Sequence, residues 1–140
     1  MFNLDLATDF GQRVERRLRE ERVIWLITID AGLVAQPVPV WFWWDGETIL
    51  IYSLPDSVKL RSLAAHPKVT LHFDGDGRGG DIVVITGEAR IDRSAPTAAQ
   101  HAAYTAKYQW GFERIRKTPD EFARTYSVPV RITPTKVRGH

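Results

Sequence analysis

The chain has 140 residues, a formal charge of +2 and no cysteine. That length suits a single domain whose core needs no disulfide. The missing thiols exclude thiolate catalysis and any cysteine-ligated zinc or iron–sulfur centre, and the small charge is no nucleic-acid footprint. The start, Met1-Phe2-Asn3-Leu4-Asp5, has neither the basic nor the apolar region of a signal peptide. No apolar run approaches the roughly 20 residues that span a bilayer. A cytoplasmic protein with no membrane and no nucleic-acid partner is expected.

Residues 8 to 22 predict an amphipathic helix, with Phe10, Val14 and Leu18 on one face and an Arg/Glu-rich remainder read as solvated. Val23 to Ile29 is a β-branched, nearly all-apolar run, expected as a strand covered on both faces. Asp30-Ala31-Gly32 turns the chain into a strand over Leu33 to Val38. Pro37 and Pro39 remove ladder donors, so that strand should be an edge, a bulge or the place where the sheet splits.

Pro39 to Ser53 organises the chain. Asp45-Gly46 is a strong hairpin signal, because glycine supplies the positive φ of the turn. Alternation puts Trp41 and Trp43 on one side and Phe42 and Trp44 on the other. One side should meet the core and the other a partner chain or a planar ligand. Asp56 or Ser57 then caps a short helix that Pro67 ends. Lys59 and Arg61 do not share a face of it, and they either converge on an anion at the first turn or lie in solvent.

Lys68 to Asp74 alternates as a strand, with Val69, Leu71 and Phe73 inward. Gly75 to Gly80 is a flexible loop without phosphate-loop spacing. Asp81 to Ile91 is a long strand in which Gly87 marks a bulge or bend. Ser94 opens a helix running to about Trp110, where Gly111 interrupts it. Thr118-Pro119-Asp120-Glu121 starts another helix, and Tyr126 to Thr133 is a closing strand that Pro134 ends, leaving a basic tail. This order suggests one α+β domain over residues 1–140, built on a small antiparallel barrel.

The four histidines, His66, His72, His101 and His140, are scattered and lie in no nucleophile or metal-ligand motif. No catalytic side chain and no metal site is therefore assigned. A cofactor can still carry the chemistry. An aromatic floor beside Ser57, Lys59 and Arg61 suits a planar, phosphorylated one.

The ordered motifs resemble the FMN-binding split-barrel superfamily, pyridoxamine 5′-phosphate oxidase-like, in its flavin and deazaflavin oxidoreductase branch. They are Gln36-Pro37-Val38-Pro39-Val40, the Trp-Asp-Gly-Glu hairpin, Ser57-x-Lys59-x-Arg61-x-x-Leu63, Pro67-x-Val69-x-Leu71, Gly87-Glu88-Ala89 and Pro134-x-Lys136-Val137-Arg138-Gly139. The resemblance implies a six-stranded split β-barrel with flanking helices, a homodimer, and cofactor sites at the dimer seam. It implies that Lys59 and Arg61 bind the cofactor phosphate with help from Ser57. Gln36, Val38, Pro39, Val40 and Trp41 would line the ring, and the loop around Arg78 and Gly80 would come from the partner. The cofactor expected is coenzyme F420, with FMN as the alternative, and the activity is hydride transfer with a small unsaturated substrate. A non-catalytic carrier of haem, another tetrapyrrole or an apolar ligand is the competing expectation, with His72 or His101 as axial ligand.

Overall fold

In the computed structural model, residues 2–140 are described, and among them five helices accompany one antiparallel sheet of seven strands. The first half holds α1 (Asp9–Glu20), β1 (Ile24–Ile29), β2 (Ala35–Val40), β3 (Trp43–Trp44), β4 (Ile49–Ser53) and α2 (Val58–Ala65). The second holds β5 (Lys68–His72), β6 (Val83–Ile91), α3 (Ala102–Lys107), α4 (Gln109–Ile115), α5 (Pro119–Thr125) and β7 (Val128–Gly139). The strand order is β2-β1-β5-β6-β7-β4-β3.

β2 and β3 are opposite edges of this sheet, yet only Trp41 and Phe42 separate them in the chain. Three Cα–Cα steps reach at most about 11 Å, so the sheet has to curl until its edges nearly meet. The result is the expected α+β split barrel with flanking helices. Its seventh strand is the two-residue β3, the half of the tryptophan hairpin that crosses to the far edge.

Alternation along the strands builds two separate cores. Ile24, Leu26, Ile49, Ile51, Leu71, Ile85, Val130 and Ile132 fill the barrel, and α1 plugs it with Val14 and Leu18. Phe42 and Trp44 point into this core. On the outside of β4, Leu50 and Tyr52 join a second core with Tyr104, Tyr108, Phe112 and Phe122 of α3–α5, and Trp41 and Trp43 pack against it. The far side of the tryptophan segment is thus covered by helices of the same chain.

Several expectations are corrected. Pro134 does not end β7, which continues to Gly139 with Lys136 opposite Thr86 and Val137 opposite Ile85. Pro134 is tolerated because it pairs with Gly87 at a register shift, where the ladder is already interrupted. The strand covered on both faces is β4, all five of whose residues are buried; β1 alternates between buried and half-buried. The first hairpin strand begins at Ala35, after a turn in which the Asp30 carboxylate accepts from the N–H of Gly32 and Val34. The helix expected from Ser94 starts only at Ala102, capped by Nδ1 of His101, which accepts from Tyr104 N–H at 3.0 Å. Gly111 lies inside α4 instead of interrupting the helix. Arg17 is not on a solvated face: it is 6% exposed, donates to the backbone carbonyls of Asp74 and Asp81, and lies 4.8 Å from the Phe73 ring centre. The remaining turns and caps match expectation, including positive φ at Gly46, the Ser57 cap on α2 and a full capping box at Thr118 and Glu121.

Candidate functional site

A cleft of about 360 Å³ opens between β2, β4, α2 and the helical layer. Edge strand β2 contributes Val38, Pro39 and Val40, and the link that follows contributes Trp41. Tyr52, Leu54 and Lys59 line it as well. Tyr104, Ile115, Phe122 and Tyr126 of the helical layer complete it. The volume falls in the range of small-molecule sites, and the lining has their usual character of apolar and aromatic walls with few polar groups.

Trp41 is half-buried and held by several aromatic contacts. Its ring stacks on Tyr108 at 4.7 Å and 9°, stacks on Phe122 at 5.5 Å, and meets Phe112 edge-on at 5.8 Å. This placement needs the glycine at 111: a Cβ there would stand 2.5 Å from the Trp41 ring. Tyr108 clamps the same segment by hydrogen bonding. Its hydroxyl accepts from Phe42 N–H at 2.8 Å and faces the carbonyls of Arg22 and Phe42 at 2.7 and 3.0 Å. The floor of the cleft is therefore rigid before any ligand arrives.

Lys59 is half-buried, and its Nζ donates to Ser53 Oγ at 2.8 Å. Ser53 Oγ in turn lies 2.9 Å from Ser57 Oγ, which accepts from the N–H of Leu60 and so caps α2. Burial holds the Lys59 ammonium below its ordinary pKa. No carboxylate pairs with it among the described residues, so an anion bound beside it in the cleft would recover part of that cost.

The sequence-derived residues separate into groups. Val38, Pro39, Val40, Trp41 and Lys59 come together in the cleft, with Ser57 behind Lys59. Arg61 donates to the Asp56 carbonyl at 3.0 Å and lines a neighbouring groove with Asp30, Gly32 and Val58. Gln36 reaches the Asp30 carboxylate at 2.8 Å and does not line the cleft. Arg78 and Gly80 stand in the β5–β6 loop, their N–H groups donating to Asp76 Oδ1. His72 stacks on Trp25, and His101 packs edge-on to Trp43.

Sequence reasoning missed Tyr52, Leu54, Tyr104, Ile115, Phe122 and Tyr126. The signal for one of them was present: Tyr104 is spaced i, i+4 from Tyr108, which marks one buried helix face.

The sequence profile described as pyridoxamine 5′-phosphate oxidase matches residues 10–140. The chain belongs to this family. Pyridoxamine 5′-phosphate oxidase-like architecture is also what solved structures show. A putative pyridoxamine 5′-phosphate oxidase from Listeria innocua superposes with a TM-score of 0.68 at 17% identity, covering 91% of this chain and 94% of that one. A structure titled F420 reductase gives 0.65 at 20% identity, over 89% and 94%. The haem storage protein HutZ of Vibrio cholerae gives 0.63 at 13% identity, over 99% and 95%. No curated protein matches the chain by sequence.

Proposed function

We propose that the chain is an oxidoreductase that binds a planar, anionic redox cofactor in this cleft and passes hydride between it and a small unsaturated substrate. The cofactor is coenzyme F420 in the first reading and FMN in the second. The observation that carries the proposal is the pairing of an aromatic cleft with one desolvated ammonium, Lys59, in its lining. An oxidoreductase family and a structural neighbour titled F420 reductase support it.

Bound there, such a cofactor supplies the hydride chemistry. The chain's own residues supply the rest. Trp41, Tyr104 and Phe122 give flat apolar walls that exclude water and hold a ring in one plane. Lys59 holds the anionic end, with Ser57 beside it and Arg61 within α2 for a longer tail. The reading includes a homodimer: Leu33, Val34 and Val58 are exposed beside the Arg61 groove, and β2 is an exposed edge next to the cleft. Arg78 and Gly80 would then serve the partner's site. The haem-carrier reading has the HutZ likeness behind it, but among the described residues no histidine lines the cleft, and Nδ1 of His101 is taken by Tyr104 N–H.

The test is anaerobic oxidation of reduced F420, or of reduced FMN, by a panel of conjugated carbonyl acceptors. Enzyme-dependent oxidation is expected, with Lys59→Ala raising the KM for cofactor more than it lowers kcat. A protein saturated with reduced cofactor that oxidises none of it above the background rate would contradict the proposal.

A further inference from the structure

Three of the four tyrosines of the chain line the cleft, and they differ in what their hydroxyls do. Tyr52 donates to the Pro96 carbonyl at 2.8 Å. Tyr126 is half-buried and so within reach of water. Tyr104 is 1% exposed, held edge-on to Tyr52 at 4.9 Å and tilted against Tyr108 at 4.9 Å. Its backbone N–H is engaged by His101, but no hydrogen bond to its hydroxyl forms among the described residues. That hydroxyl is also not sealed. Among the described residues, the fully enclosed side-chain polar atoms without partners are Thr28 Oγ1 and Trp110 Nε1; the Tyr104 oxygen is not one of them, and Tyr104 lines the cleft.

A buried donor without a partner is costly unless a ligand or a water completes it. Here the ring is fixed by its neighbours, so the hydroxyl presents one fixed hydrogen-bond donor in a largely aromatic wall. Burial raises its pKa, which keeps the proton on the oxygen at neutral pH. A donor of this kind discriminates strongly, because it rewards a matched acceptor and is left unpaired by an apolar isostere.

We infer that the Tyr104 hydroxyl is a specificity-determining hydrogen-bond donor that selects a planar occupant carrying a carbonyl oxygen. The inference rests on the reading of this cleft as the ligand site, not on which cofactor binds. The carbonyl has two possible sources, the cofactor ring or the substrate.

Equilibrium dialysis with 9-fluorenone and fluorene, planar tricycles that differ by one carbonyl oxygen, tests this on the cofactor-free protein. The ratio of the two Kd values should shift against fluorenone by about three- to tenfold in Tyr104→Phe relative to wild type, while fluorene affinity holds. Tyr126→Phe should keep the wild-type ratio. Because the hydroxyl makes no bond within the protein, Tyr104→Phe should also keep the wild-type Tm, which a structural hydroxyl would not. Titration of the same proteins with F420 and FMN separates the sources. Weaker cofactor binding in Tyr104→Phe assigns the carbonyl to the ring, and unchanged binding with lost fluorenone preference assigns it to the substrate. A fluorenone preference that survives in Tyr104→Phe, or that is lost in Tyr126→Phe instead, overturns the inference. Wild type that prefers fluorenone but binds neither cofactor would leave Tyr104 in its role and sink the oxidoreductase proposal.

Discussion

Thr28 and Lys59 show how differently a buried polar group can be treated in one molecule. Thr28 Oγ1 is enclosed without a partner in the barrel. Removing an unsatisfied hydroxyl by a residue of similar shape relieves its desolvation cost, and valine suits a strand at least as well. Thr28→Val is therefore expected to stabilise the fold by about 1 kcal/mol, read from chemical denaturation; a loss of stability would show that the oxygen has a partner in solution. Lys59 is also desolvated but faces a cleft that a ligand can fill. Its lowered pKa means that the ammonium is lost at a lower pH than for a free lysine. Affinity for an anionic ligand should fall as pH rises through that range, and Lys59→Met should bind weakly at every pH. Whether a lysine is anchored or solvated depends on what folds over it, so spacing alone left Lys59 and Arg61 equivalent. The fold sends one to the cleft and the other to the next groove.

At the level of elements, the cleft depends on one helix presenting a hole and one strand link presenting a ring. Alanine in place of glycine usually stabilises a helix interior by about 1 kcal/mol. At position 111 the opposite is expected, because the added Cβ meets the rigid Trp41 ring at 2.5 Å and the ring is wedged among Tyr108, Phe112 and Phe122. Gly111→Ala should cost about 1–3 kcal/mol by overpacking and change the tryptophan emission; a more stable variant with native emission would refute this packing. The strands were largely legible in the sequence, since alternation and turn residues such as Asp45-Gly46 act over a few positions. The helical layer was not. Its apolar face is spread over three short helices, and the hole at Gly111 has meaning only once Trp41 lies against it. For the same reason Pro134 read as a stop: its pairing with Gly87 is a tertiary fact.

Across the whole molecule, the buried titratable groups predict a stability curve with an alkaline maximum. The Lys107 amine donates to the Phe42 carbonyl at 3.1 Å and sits 3.9 Å from the Phe42 ring centre. Burial nevertheless lowers its pKa to about 8. Between that value and the unfolded value near 10.5 the unfolded chain holds the proton that the folded chain has released, so stability rises with pH. Tyr52, which burial pushes up to about 12, acts oppositely: above about pH 10 the unfolded phenol ionises first and stability falls. Denaturation from pH 7 to 11 should show the rise and then the fall, with the rise reduced in Lys107→Met; an unchanged rise in that variant would remove Lys107 as its source. The curled sheet was legible at this scale from the order of elements, because a proline-rich strand followed at once by the tryptophan hairpin left a split as one of few arrangements. The helices that cover the outer face of that hairpin were not, as they are supplied from about 60 residues further along the chain.

On the proposal above, the cleft beside Trp41 and Lys59 binds a planar, anionic redox cofactor. Parallel titration of wild type and Lys59→Ala with F420 and FMN, followed by quenching of tryptophan emission, tests it most directly. Saturable quenching by F420 is expected, with FMN weaker, and binding about ten- to a hundredfold weaker in Lys59→Ala, the loss of a charge-assisted contact. Absence of quenching by both cofactors, or equal affinity in the two proteins, would contradict it.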